Sequence, residues 1–192
     1  MRKLAALLVL ASTLAVGGCA NNDSLAQQLG ADDNFISGDG ALVEVAPDNR
    51  EKPIEFAAVA NDGSTVSTDD LRGSVVVVNF WYASCPPCRI EAPELAEYAR
   101  TEPDGVRFLG VNTYDGEAAA KSFEETFDVP YPSILDVSTG AVRLAFAGSL
   151  PPNAVPVTII LDREGRVAAR MSGYFSDINI LISMVDKVRD EQ

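Results

Sequence analysis

Ser74-Val75-Val76-Val77-Val78-Asn79-Phe80-Trp81-Tyr82-Ala83-Ser84-Cys85-Pro86-Pro87-Cys88-Arg89-Ile90-Glu91-Ala92-Pro93-Glu94-Leu95 is the stretch on which the reading of this chain turns. Its four consecutive valines form an apolar run without alternation, the pattern of a strand buried on both faces. The prolines after Cys85 suit the first positions of a helix, where a missing N–H removes no hydrogen bond. The stretch therefore predicts a central strand over 74–82 and a helix over 86–100, with Cys85 at the junction.

Working outward, strand-like and helix-like segments alternate. Upstream, 54–59 and 65–67 flank Asn61-Asp62-Gly63-Ser64, a hairpin with Asp-Gly turn chemistry. Downstream come a strand over 106–111, an amphipathic helix over 117–127, a short strand over 133–136 and a helix over 139–146. Two strands, 157–162 and 166–172, flank the turn Arg163-Glu164-Gly165, and a helix over 176–189, capped by Ser176, closes the chain. This order predicts an α/β layer sandwich with a mixed central sheet and an N-terminal β-hairpin.

Composition narrows the function. A chain of 192 residues, 47% of them apolar, suffices for one ordinary core. The net charge of −13 repels nucleic acid, which needs a basic surface to displace counterions. There is no histidine. Histidine acid-base chemistry, histidine-ligated haem and mixed zinc sites are therefore excluded by inventory. No phosphate-cradling glycine loop or dinucleotide fingerprint occurs, so no soluble cofactor is expected.

The N-terminus reads as an address. Arg2 and Lys3 form a basic n-region, 4–16 an apolar h-region too short to span a bilayer comfortably, and Gly17-Gly18-Cys19 a small-residue cleavage site. The ending Leu14-Ala15-Val16-Gly17-Gly18-Cys19 resembles the lipobox of bacterial lipoproteins. That resemblance implies cleavage before Cys19, a lipid on its side chain and a membrane-anchored, exported protein. The alternative is an ordinary secretory signal with an incidental Cys19. Residues 19–52 are polar, acidic and without sustained periodicity, and read as a flexible tether with a span on the order of 30 Å. The folded domain is expected over 53–192.

With Cys19 lipidated, the mature chain keeps Cys85 and Cys88, two residues apart and facing an oxidising compartment. So close a pair closes only a small loop and would add little stability as a structural crosslink. Two thiolates without histidine or a second pair cannot complete a tetrahedral zinc site. Redox chemistry is the better account. At a strand-to-helix junction, unsatisfied N–H groups and the helix dipole favour negative charge, so Cys85 is the expected attacking thiolate. Cys88, expected to lie deeper, would resolve the mixed disulfide. Glu91 lies three residues further on the same helical face, within reach of that thiol's proton. The alternative for Glu91 is a solvated first-turn carboxylate.

Residues 77–95 resemble the active-site segment of the thioredoxin superfamily, with strand, aromatic, Cys-x-x-Cys and Glu-x-Pro in order. More narrowly the chain, from about Pro53 onward, is similar to the TlpA and ResA-like extracytoplasmic reductases. The resemblance implies a thioredoxin-like three-layer sandwich with a helix/strand insertion, no cofactor beyond the Cys85-Cys88 disulfide, and protein thiols and disulfides as partners. It also implies a membrane electron donor of the cytochrome-biogenesis thiol-reductase type and a task akin to cytochrome c maturation. Glu91 matches the family's proton acceptor. Pro156, ahead of the strand at 157–162, matches its cis-proline facing the dithiol, an ordinary edge proline being the alternative. Val155 would expose backbone groups to an extended substrate. Pro86 and Pro87 would line the substrate surface with Trp81, which also shields the dithiol. The family usually has tryptophan directly before the first cysteine, where this chain has Ser84, and a small residue where it has Tyr82. Those departures bear on substrate identity.

Apart from Arg89, the neighbourhood offers only Glu91 and Glu94, which stabilise a thiolate poorly and favour a reductant over an exported oxidant or isomerase. A peroxiredoxin would place its cysteine after Pro-x-x-x-Thr-x-x-Cys, a context neither Cys85 nor Cys88 has. A non-catalytic lipoprotein that holds a thiol protein is the remaining class.

Overall fold

The computed structural model describes residues 35–37, 41–150 and 154–191. Residues 1–18 and Cys19, read as signal and lipidation site, lie outside the described residues, as do 20–34 and 38–40 of the segment read as tether.

The N-terminal half of the described chain begins with β1 (Phe35–Ile36) and β2 (Leu42–Glu44), a 3-10 turn at Pro47–Asn49, then β3 (Ala57–Val59) and β4 (Thr65–Ser67). A one-turn α1 (Thr68–Leu71) leads into β5 (Val75–Trp81) and α2 (Pro86–Arg100). There follow β6 (Val106–Asn112), α3 (Glu117–Thr126), β7 (Ser133–Leu135) and α4 (Ala141–Ala145). The chain closes with β8 (Val157–Leu161), β9 (Val167–Ser172) and α5 (Ile178–Arg189).

Seven strands form one mixed sheet in the order β1-β2-β9-β8-β5-β6-β7, with β3 and β4 paired as a separate hairpin. β5 runs parallel to β6 and antiparallel to β8. All seven residues of β5 are buried, as its valine run requires. Because a strand alternates its side chains, β5 divides the core. Val76, Val78 and Phe80 face a cluster completed by Val142 and Phe146 beyond α4. Val75 and Val77 face Leu95 and Tyr98 of α2 and Leu181 and Val185 of α5. Trp81 lies on that second face, in a cluster with both cysteines and with Ala120 and Phe123 of α3. The expected α/β sandwich with its mixed sheet and hairpin is therefore present, with apolar layers on both faces of the sheet.

Two expectations need correction. The domain does not start at 53: β2 pairs antiparallel with β9, β1 pairs with β2, and the Arg50 side chain is 2% exposed in ion pairs with Asp162 and Glu191. Those contacts are long-range and leave no period in so polar a segment, which is why it read as tether throughout. The closing helix is capped by Asp177, whose carboxylate accepts the Asn179 N–H at 2.9 Å, rather than by Ser176.

Candidate active site

The β5-to-α2 junction presents Cys85 as the N-cap of α2, its sulfur accepting the Cys88 backbone N–H at 3.1 Å. Pro86 and Pro87 occupy the first turn, so the helix starts without wasting donors. Cys85 and Cys88 are joined in a disulfide. Each is 1% exposed, so in this oxidised form Cys88 is no deeper than Cys85, contrary to expectation. Tyr82, Ala83 and Val155 pack against the cluster holding the pair, and the Val155 carbonyl oxygen lies 3.9 Å from the Cys85 sulfur.

The Val155-Pro156 peptide bond is cis. Pro156 accepts a hydrogen bond from the Gly173 N–H at 2.9 Å, which ties the segment after β9 to this loop. Pro86 is exposed and Pro87 half-buried at the mouth of the site. Trp81, expected on the substrate side, is 3% exposed and stacks on Phe123 with ring centroids 4.2 Å apart. Its place on an inward-facing position of a fully buried strand explains the difference. Gly110 on β6 makes room there: a Cβ would fall 2.3 Å from Ser133 Oγ and 3.0 Å from Trp81 Nε1.

Glu91 is not a solvated first-turn carboxylate. It is 2% exposed, and its Oε1 accepts from the Asn79 side-chain amide at 2.8 Å, while Oε2 has no hydrogen-bond partner among the described residues. Removal from water pushes its pKa from 4.5 up to about 8; the Asn79 amide and the Phe175 backbone pull the other way without prevailing. Arg89, the nearest cation along the chain, turns away. Its guanidinium donates to the Ala83 carbonyl at 3.1 Å and lies 5.0 Å from the Phe127 ring centroid. Glu91, three residues beyond Cys88 on α2, is thus a buried acid held without an ion pair among the described residues.

Sequence reading missed the loop after β6. Asn112 Oδ1 accepts the N–H groups of Tyr114 and Asp115, closing an Asx turn. Asp115 Oδ2 then accepts from the Ala83 N–H at 2.5 Å and from Asn112 Nδ2 at 2.9 Å, bracing the turn that leads to Cys85. The pattern Asn-x-x-Asp is a turn signal in itself; only the parallel pairing of β5 with β6 brings it to the cysteines. Thr158, opposite Asn79 on β8, was also missed.

A strand-loop-helix disulfide at the end of a mixed sheet, faced by a cis-proline, defines a thioredoxin-like thiol-disulfide oxidoreductase. The chain belongs to the Redoxin family, whose profile matches residues 44–185, and within it is TlpA/ResA-like. It is 28% identical over 125 residues to the thiol-disulfide oxidoreductase ResA of Bacillus cereus, covering 65% of this chain and 69% of that one. With the ResA protein of Oceanobacillus iheyensis the identity is 31% over 155 residues, covering 77% and 76%. Among solved structures, a DsbF homologue from Corynebacterium diphtheriae matches with TM-score 0.68 and 27% identity, over 80% of this chain and 96% of that one. A secreted thiol-disulfide isomerase from Corynebacterium glutamicum matches with TM-score 0.62 and 26% identity, over 79% and 96%.

Proposed function

We propose that this protein is an extracytoplasmic reductase of protein disulfides, anchored by a lipid on Cys19 and recharged by a membrane thiol-reductase of the cytochrome-biogenesis type. The buried, uncompensated carboxyl of Glu91 carries this reading. A strong oxidant needs its reduced thiolate heavily stabilised, and here the neighbouring acid offers no positive charge while Arg89 is committed to Ala83 and Phe127. The ResA name of the relatives and the secreted character of the C. glutamicum protein support the compartment and the reaction class.

In the reaction, the Cys85 thiolate attacks one sulfur of a substrate disulfide and expels the other as a thiolate. The ionised fraction of Glu91 takes the proton of Cys88, whose thiolate attacks Cys85. The mixed disulfide breaks, the second substrate sulfur leaves with the electron pair, and the enzyme is left oxidised with Glu91 protonated. A carboxyl with a pKa of about 8 beside the closed disulfide is suited to hold that proton near neutral pH. Pro86, Pro87 and the Val155 backbone form the contact surface for the substrate chain, and Pro156 shapes the loop that presents it.

The competing reading, an exported oxidant or isomerase, draws on the likeness to the secreted thiol-disulfide isomerase of C. glutamicum and on the Cys88 N–H that supports charge on Cys85. Equilibration of the protein against glutathione and dithiothreitol buffers separates the two. A Cys85/Cys88 potential near or below about −270 mV is expected, and one close to about −120 mV would make the protein a disulfide donor.

A further inference from the structure

Three buried polar side chains form one hydrogen-bonded row: Glu91 on α2, Asn79 on β5 and Thr158 on β8, exposed by 2%, 5% and 1%. Asn79 and Thr158 are direct partners in the antiparallel β5/β8 register, so their side chains share a face of the sheet. The two hydrogens of the Asn79 amide are both used. One goes to Glu91 Oε1 at 2.8 Å and the other to Thr158 Oγ1 at 3.1 Å.

An asparagine amide can be seated either way round. With nitrogen toward Glu91 it donates, which favours the carboxylate. With oxygen toward Glu91 it accepts, which favours the protonated acid. Thr158 supports the donating seat seen here, because its oxygen accepts the second amide hydrogen, which would otherwise be buried without a partner. We infer that Thr158 is a positioning residue of the thiol-disulfide reaction: by accepting one amide hydrogen of Asn79 it holds the other on Glu91, and so sets the pH at which Glu91 takes the proton of Cys88.

This rests on Glu91 being the proton acceptor. Its Oε2, which has no hydrogen-bond partner among the described residues, is the oxygen left to receive that proton. The Asn79 amide is the larger of the two influences that lower its proton affinity against desolvation. The other groups that bear on Glu91 are the Phe175 backbone after β9 and Tyr131 ahead of β7, whose hydroxyl is pushed up by burial and by the charges of Glu91 and Glu124. No cation among the described residues contributes to the Glu91 shift.

The test is the pH dependence, from about 5.5 to about 9.5, of the rate at which the reduced protein opens a fluorescence-quenched disulfide peptide, with thermal unfolding recorded alongside. Thr158→Val is expected to move the alkaline midpoint upward by about half a unit to one unit and slow the reaction about three- to tenfold below it. Thr158→Ser restores the wild-type midpoint. Asn79→Ala shifts it in the same direction, and adding Thr158→Val to Asn79→Ala moves it no further, since the effect passes through Asn79. A Thr158→Val protein with an unmoved midpoint, whatever its melting temperature, would overturn the inference, as would full additivity in the double variant. Glu91→Gln separates the two layers. If the rate and pH profile of Glu91→Gln are those of the wild type, the proton-acceptor reading itself fails; if Glu91→Gln alters the profile but Thr158→Val leaves the midpoint unmoved, only the role of Thr158 fails.

Discussion

Two carboxylates are buried almost equally in this molecule and are treated in opposite ways. Asp162, at the end of β8, is 3% exposed; its Oδ2 takes Arg50 at 3.0 Å and Arg166 at 2.8 Å, and its Oδ1 takes the backbone N–H groups of Glu164 and Arg166. Glu91, 2% exposed, has the Asn79 amide, a weaker influence of the Phe175 backbone, and no cation among the described residues. Burying an ionised carboxylate is costly unless charge and hydrogen bonds replace the lost water. At Asp162 they do, and the group fastens the N-terminal segment and the β8-β9 turn. At Glu91 they do not, so the group stays protonated until about pH 8 and remains free to exchange its proton. The uncompensated acid stands three residues from Cys88 and the compensated one at the opposite end of β8 from the cis-proline. Compensation therefore separates a structural carboxylate from a chemical one.

The largest expected effect that sharpens this contrast is on the pH dependence of stability. Glu91 holds its proton more tightly folded than unfolded, since its pKa rises from 4.5 to about 8. Its contribution is thus fully present below about 4.5 and is lost as pH rises toward 8, after which it is level. At about 1.4 kcal/mol per unit, the 3.5 units between 4.5 and 8 set an upper bound of about 5 kcal/mol. Denaturant unfolding of the oxidised protein from about pH 4.5 to about 9 should show this loss, and Glu91→Gln should remove most of it. Glu124, half-buried and also shifted upward by desolvation, leaves a smaller slope of the same sign. The chain has no histidine to obscure the window. A Glu91→Gln protein with an unchanged slope would dissolve the distinction between the two carboxylates.

Next in size is the loss of a partner at the compensated site. Arg50→Ala leaves Asp162 with Arg166 alone and frees Glu191, and removing one member of a buried pair typically costs about 3–5 kcal/mol. Destabilisation of about 4 kcal/mol is expected by denaturant unfolding, with the disulfide-exchange rate of the folded fraction unchanged. A lowered rate without lowered stability would mean that this network, too, serves the chemistry.

Much of this was legible in the chain itself. The start of the helix at Pro86 is legible to the residue, because Cys85 and the two prolines fix that end by local chemistry, while its end is legible only to about Arg100. The valine run located the central strand for the same kind of reason: only burial on both faces suits it. What stayed hidden is what depends on register between distant strands. Thr158 is an ordinary strand threonine until β8 is set against β5, and β2 is three residues of a polar segment until it meets β9. The burial of Glu91 was the intermediate case. Its spacing from Cys88 placed it on the right helical face, but whether water reaches that face depends on how α2 seats on the sheet, and helical spacing alone does not say.

Asp115 provides the smallest and most discriminating test, because it is a carboxylate compensated in a third way, by amide hydrogens alone. It accepts from the Ala83 backbone N–H and from Asn112 Nδ2, and it is only half-buried. Hydrogen bonds to a charged group are worth about 1.5–3 kcal/mol when desolvated and less where water can substitute, so Asp115→Ala should cost about 1–2 kcal/mol. For a chain of this size that is a drop of roughly 2–8 °C in melting temperature. The Ala83 N–H lies two residues from Cys85, so the same change should slow disulfide exchange several-fold, and Asp115→Asn, which keeps an acceptor, should recover most of both losses. If Asp115→Ala lowers the melting temperature but leaves exchange untouched, the brace on the Cys85 turn is structural in the manner of Asp162. If exchange falls with little change in melting temperature, then holding the turn before Cys85 matters to the reaction beyond folding, and compensation alone no longer sorts the carboxylates of this protein.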